Sequence, residues 1–131
     1  MAKFGKTSKE RLSTCEKDLQ LLFNEVVKHF DCSIICGHRG EEAQNEAFKR
    51  GNSKAKYPKG RHNSSPSFAV DVAPYPIDWD DRERFTYFAG YVKGIASQMG
   101  LNVIWGGDWD NDTDLSDNGF DDLVHFELRG K

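Results

Sequence analysis

Apolar residues recur at three- and four-residue steps through Leu12, Cys15, Leu19, Leu22 and Val26, which lays one stripe along a helix. That helix is read from a cap at Thr7 or Ser8 to about Lys28, and Thr7 with Glu10 fits a capping box. The short run at 33–36, centred on Ile34-Ile35, predicts a strand. Gly37-His38-Arg39-Gly40 predicts a turn, and residues 41–50 a second helix closed by Gly51. Residues 52–67 hold Gly, Ser, Pro and Lys without a period and read as a long loop. Phe68-Ala69-Val70-Asp71-Val72-Ala73 predicts a central strand, stopped by Pro74 and Pro76. A third helix follows a cap at Asp80, with Phe85, Phe88, Val92, Ile95 and Met99 facing inward and Gly100 at its end. Residues 102–105 and 124–128 read as strands on either side of a Gly/Asp loop at 106–119.

Both element types occur, with too few strands for a doubly wound sheet. The expected class is α+β, a small antiparallel sheet packed with three helices. A chain of 131 residues has room for one domain, read here as spanning 1–131. At 37% apolar and 12% aromatic it has the makings of a core, unlike a disordered tail. No stretch approaches the roughly 20 apolar residues of a membrane span. Met1-Ala2-Lys3-Phe4-Gly5-Lys6 is basic, but no apolar run follows it, so no secretory signal is expected. A net charge of -3 speaks against non-specific nucleic-acid binding, which needs basic surface. Cys15, Cys32 and Cys36 cannot all pair with one another, so no disulfide framework is expected. Cys32 and Cys36 lack a second thiolate pair and read as core thiols rather than metal ligands.

Two segments carry unusual chemistry. His62 lies in the long loop, and the strand that follows ends its apolar run on Asp71. His125 interrupts the apolar strand Leu123-Val124-His125-Phe126, with Asp122 three residues before it. A carboxylate or imidazole inside an apolar strand is costly unless it is paired or binds a metal. Each residue alone fits a satisfied core polar group. Catalytic zinc needs three such ligands and one open position. The helical HExxH arrangement is missing, so any site must be assembled from separate elements.

These residues resemble the zinc D-alanyl-D-alanine carboxypeptidases and L-alanyl-D-glutamate peptidases, a family that includes phage endolysins and shares its fold with the hedgehog signalling domain. The resemblance runs from Lys3-Phe4-Gly5-Lys6 to Phe126-Glu127-Leu128. It is carried by Gly37-His38-Arg39 with Gln44, by His62-Asn63 leading to Ala69-Val70-Asp71-Val72-Ala73-Pro74, by Trp105-Gly106-Gly107-Asp108-Trp109, and by Phe120 to His125-Phe126. It implies His62, Asp71 and His125 as zinc ligands, Asp122 as general base and acid, and Arg39 as the cation facing the scissile carbonyl. A structural ion pair between Arg39 and Glu41 or Glu42 is the alternative. Gln44, His38 and Trp105 are carried as substrate contacts. For His38 an exposed turn residue, and for Trp105, Trp109, Tyr75 and Trp79 core packing, are the competing readings. The spacing departs from the family: eight residues separate His62 from Asp71, where six are usual. Gly60 stands where serine is common, and Val124 where proline is common.

The resemblance implies a monomeric zinc endopeptidase cutting peptidoglycan stem peptides between L-alanine and D-glutamate. It further implies synthesis in a host cytoplasm, action on the cell wall after the membrane is breached, no membrane or nucleic-acid partner, and no separate cell-wall-binding domain. A D-alanyl-D-alanine carboxypeptidase and a non-catalytic zinc-containing binding module are the alternatives. Asp108, Asp110, Asp112 and Asp114 alternate in a stretch without Lys or Arg. Calcium prefers carboxylate oxygens, so this is either a calcium loop or a solvated acidic surface.

Overall fold

A strand whose six residues are all buried lies inside the sheet: β2, Ala69–Pro74. The computed structural model describes residues 2–130. β2 pairs with β1 (Cys32–Cys36) on one side and β4 (Asp122–Leu128) on the other, and β4 pairs in turn with β3 (Val103–Gly106). The order is β1-β2-β4-β3, antiparallel throughout. Pro74 does not precede the strand end but forms it, opposite Cys32.

Alternation along the strands gives the sheet two unlike faces. Val70, Val72, Phe126 and Leu128 belong to the core, with Phe126 packed edge-on against Phe23 at 5.5 Å and Phe88 at 6.1 Å. Each such phenylalanine contributes about 1.5–3 kcal/mol by leaving water. The intervening residues, Asp71, His125 and Glu127, are polar yet buried, on the opposite face.

Among the described residues there are four α-helices rather than three: α1 (Lys6–Leu12), α2 (Lys17–His29), α3 (Glu41–Lys49) and α4 (Arg82–Gln98). The single helix predicted over the first apolar stripe is broken at Thr14–Glu16. There Ser67 donates its N–H to the Thr14 carbonyl at 2.9 Å, and Glu16 donates to the Ser67 carbonyl at 2.8 Å. Leu12, Cys15, Leu19, Leu22 and Val26 are all buried nonetheless. The stripe records burial, and a tertiary strand contact sets where the helix stops. The Thr7–Glu10 capping box does not form, because Gly5 caps α1 and the Ser8 hydroxyl accepts from the Ile34 N–H at 3.0 Å. Asp81, not Asp80, caps α4, accepting from the Arg84 N–H at 3.1 Å. Phe85, Phe88 and Val92 face inward as read, whereas Met99 lies past the helix end and is 38% exposed.

Candidate metal centre

Antiparallel register places Asp71 directly opposite His125 on the polar face. His62 reaches the same point from a short 3-10 turn, Arg61–Asn63, inside the stretch read as a structureless loop. That turn is tied down at several points. The Gly60 N–H donates to Asn63 Oδ1 at 2.8 Å, Asn63 Nδ2 donates to the Arg39 carbonyl at 2.9 Å, and the Arg39 N–H donates to the His62 carbonyl at 2.7 Å. A Cβ at Gly60 would lie 2.7 Å from Asn63 Oδ1 and 2.8 Å from Gln44 Oε1. The crowding accounts for glycine where serine is common.

Three ligand atoms converge. His62 Nε2 lies 3.2 Å from Asp71 Oδ1, His125 Nδ1 lies 3.4 Å from that oxygen, and the two nitrogens are 3.3 Å apart. Zinc bound at about 2.0–2.1 Å in a tetrahedron sets its ligands about 3.3 Å from one another, so the triangle has the right size. All three residues are buried, and Asp71 Oδ1 has no hydrogen-bond partner.

The surroundings fix which atoms face inward. His62 Nδ1 lies 2.8 Å from the Gly37 carbonyl and His125 Nε2 lies 2.9 Å from Glu127 Oε1. A carbonyl and a carboxylate can only accept, so each ring donates its proton outward. Neutral rings therefore aim their lone pairs at each other and at Asp71 Oδ1. Such an arrangement requires a cation at its centre, a proton or a metal. Burial alone would depress His62, but the Asp71 carboxylate reverses this and raises it to about 10. His125 is likewise raised, against burial, by Asp71 and Glu127. Asp71 itself is driven far below the carboxylate range, the two imidazoles outweighing its desolvation. Glu127 falls to about 2, its burial overcome by His125 and Arg129. Two imidazoles and one carboxylate suit zinc, whereas calcium takes six to eight oxygens.

Asp122 stands at the edge of the triangle, its Oδ2 4.0 Å from His125 Nδ1. Desolvation first, and then the charge of Asp71, push it up to about 6. Arg39 does not pair with Glu41 or Glu42. Its Nη2 lies 3.3 Å from Asp71 Oδ2 and 3.7 Å from Cys36 Sγ, and its Nη1 donates to Gln44 Oε1 at 3.1 Å. Cys15 and Cys32 are buried core thiols, as read. Cys36 is half-buried beside the triangle, its thiol held below the ordinary value because His62 and Arg39 outweigh burial.

Of the residues carried as substrate contacts, Gln44 borders the cavity over the triangle, whereas Trp105 and His38 do not line it. Gln44 is fully buried, and its Nε2 donates to Ser53 Oγ at 2.9 Å and the Ala55 carbonyl at 2.6 Å. It joins Arg39, Asn63 and residues 53–55 at the edge of that cavity. Trp105 is a core residue, 5% exposed, donating to the Leu123 carbonyl at 2.8 Å. His38 is exposed, with Nδ1 2.9 Å from the Ser64 carbonyl. Trp109 instead lies over the site, its ring 5.0 Å from that of His125, and it lines a cavity of about 320 Å³ with His62, Asp122 and Arg39. Trp79 and Tyr75 are largely exposed.

In the acidic loop Asp108, Asp110 and Asp112 bring carboxylate oxygens within 4.8 Å of one another. Asp108 is buried, with Oδ2 accepting from the Thr113 N–H at 3.0 Å and Oδ1 without a partner. Asp114 is not in this group; its Oδ1 accepts from the Ser116 N–H at 2.9 Å and hydroxyl at 2.6 Å.

The model of the phage L-alanyl-D-glutamate peptidase family matches residues 1–129. The chain belongs to that family. Among solved structures, the L-Ala D-Glu endopeptidase ChiX of Serratia marcescens is similar, with 25% identity and a TM-score of 0.75 over 96% of this chain and 90% of that one. No curated protein matches the chain. The family's α+β architecture is the one described above, and the peptidoglycan peptidase reading made from the four motifs agrees with both comparisons. Two features escaped that reading. Glu127 was legible, since a strand alternates and residue i+2 shares the face of His125. Gly106 was not: a Cβ there would lie 2.1 Å from the Asp122 carbonyl oxygen, so only glycine lets β3 approach the strand that bears Asp122.

Proposed function

We propose that the chain is a zinc metallopeptidase that hydrolyses the L-alanyl-D-glutamate bond of peptidoglycan stem peptides. One observation carries the zinc part: three lone pairs converge at 3.2–3.4 Å while both rings donate their protons outward. Family membership supports the bond.

His62, Asp71 and His125 would hold the metal. When bound, zinc supplies Lewis acidity, making water a nucleophile near neutral pH and polarising a carbonyl. Asp122, poised near pH 6 and reaching into the cavity, takes a proton from the attacking water and returns one to the leaving amine. Arg39 holds Asp71 by Oδ2, which keeps Oδ1 turned to the centre. Its guanidinium has five N–H donors and lines the cavity, so it also faces the oxygen on which negative charge develops. Trp109 covers the His125 ring and excludes water from that side.

The Asp108–Asp110–Asp112 group is read as a calcium site, because a buried carboxylate oxygen lacks a partner beside two further carboxylates. Synthesis in a host cytoplasm and action after membrane breach complete the reading; no helix of the described residues is long and apolar enough to cross a membrane. Mass spectrometry of purified peptidoglycan after digestion tests the bond. New N-terminal D-glutamate is expected. Released D-alanine, or no cleavage by zinc-loaded protein, would overturn it.

A further inference from the structure

The cavity over His62 and His125 has the 52–61 loop as one wall, and Lys54 and Lys59 line it. Among the described residues neither lysine forms an ion pair. Arg61, the other cation of that loop, is committed: it lies 3.6 Å from Glu127 and over the Phe68 ring at 5.1 Å, and it donates to the Leu128 carbonyl. Lys54 is held in place. Its Nζ sits 5.0 Å over the Phe120 ring, Phe120 stacks on Trp109 at 6.4 Å, and Trp109 leans on His125 at 5.0 Å. Rings thus lead from a ligand to an ammonium. The residues on either side of Lys54 are pinned by the Gln44 amide, which donates to the Ser53 hydroxyl and to the Ala55 carbonyl.

A second cavity, of about 420 Å³, shares Arg39, Asn52, Phe120 and Asp122 with the first and so continues the cleft past the site. Its wall contains no lysine; it has Asp121, paired with Arg82 at 2.8 Å, and the exposed Trp79. Arg39 borders both halves, but only the first adds the ammonium groups of Lys54 and Lys59. An alanyl-glutamyl bond has the same asymmetry, since glutamate brings a free carboxylate on the amine side and alanine brings no charge.

We propose that Lys54 receives the free glutamyl carboxylate on the amine side of the scissile bond. The 52–61 half of the cleft is then the leaving-group half. The assignment rests on the peptidase reading above and adds the orientation of the substrate and the residue that selects it. Asp122 would repel a carboxylate placed without such a partner, so the lysine both attracts the right group and fixes its position.

Two synthetic stem peptides, identical except that the glutamyl carboxylate is free in one and a primary amide in the other, test this. Wild-type protein prefers the free acid. Lys54→Gln lowers that preference about tenfold or more, chiefly through KM, as loss of a charged hydrogen bond does. Lys54→Arg retains most of it. Lys56→Gln removes the same charge from the same loop, but Lys56 lies over the Phe48 ring at 5.0 Å and does not line the cavity, so the preference stays at the wild-type value. Equal slowing of both peptides by Lys54→Gln, or no wild-type preference, overturns the proposal while leaving the peptidase reading intact. Zinc-loaded wild type that cleaves neither peptide overturns both.

Discussion

His125 and Glu127 stand on the same face of β4, with the ring Nε2 2.9 Å from the glutamate Oε1. This bond decides which nitrogen of His125 is left for a metal. Arg129 Nε lies 2.6 Å from Oε2 and holds the glutamate in turn. Removing such an outer partner commonly costs about 10–100-fold in metal affinity. Glu127→Gln, which leaves an acceptor but no charge, is expected to weaken zinc within that range, as read by competition with a chelator. Unchanged affinity would mean that Glu127 serves only to pair arginines.

On the proposed reading, zinc and protons compete for the same lone pairs. In the metal-free protein His62 is raised to about 10 by Asp71, so at pH 7–8 it carries a proton that zinc must displace. Affinity is therefore expected to rise with pH across that range, with about one proton released per zinc bound. Calorimetry in buffers of different ionisation enthalpy measures the number. Zinc uptake without proton release would contradict a His62 raised that far by Asp71.

Asp122 is expected to act on the proton and not on the metal. Asp122→Asn should keep the fold and the zinc content and lose about 10²–10⁴-fold in kcat. In the wild type the carboxyl is pushed up to about 6, so kcat/KM should climb as pH rises through that value and the base form appears. The pH–rate profile and metal analysis of the variant check both halves. A mutant that keeps wild-type turnover rules the role out.

Crowding in the acidic loop has a sign that can be measured. Desolvation and the Asp112 and Asp108 carboxylates raise Asp110 to about 6. Between its ordinary value and 6 the folded protein binds a proton that the unfolded chain releases, so stability contributed by this group falls as pH rises through that window. Without calcium, Asp110→Asn should melt higher than the wild type at pH 7, and the gap should close near pH 4. With calcium the wild type should recover and the variant should gain less. Identical melting curves in all four conditions would leave the loop as solvated surface.

What the sequence allowed a reader to see follows from what each signal measures. Asp71 and His125 were visible because a polar residue inside an apolar strand needs a partner, and the register between β2 and β4 supplies one. The division of the first helix was invisible, because Leu12 to Val26 keep their period across the break and the Ser67 contact that causes it lies 52 positions after Cys15. Motif resemblance carried Gln44 and Trp105 as substrate contacts; both side chains are buried, Gln44 at the edge of the cavity and Trp105 in the core. A motif reports that a side chain matters near a site, and Gln44 matters by bracing Arg39 and the 53–55 loop. His62 was found by its neighbours in the motif, while the 3-10 turn that aims it carries no period to read.

The strand that bears both Asp122 and His125 comes after the other three in the chain, yet it lies between two of them. Until it slots in, β2 and β3 have no common neighbour, His125 is missing from the triangle with His62 and Asp71, and Asp122 is absent from its edge. The site thus depends on this one central insertion, and any collapsed form that leaves the gap open lacks the triangle however well its helices have packed.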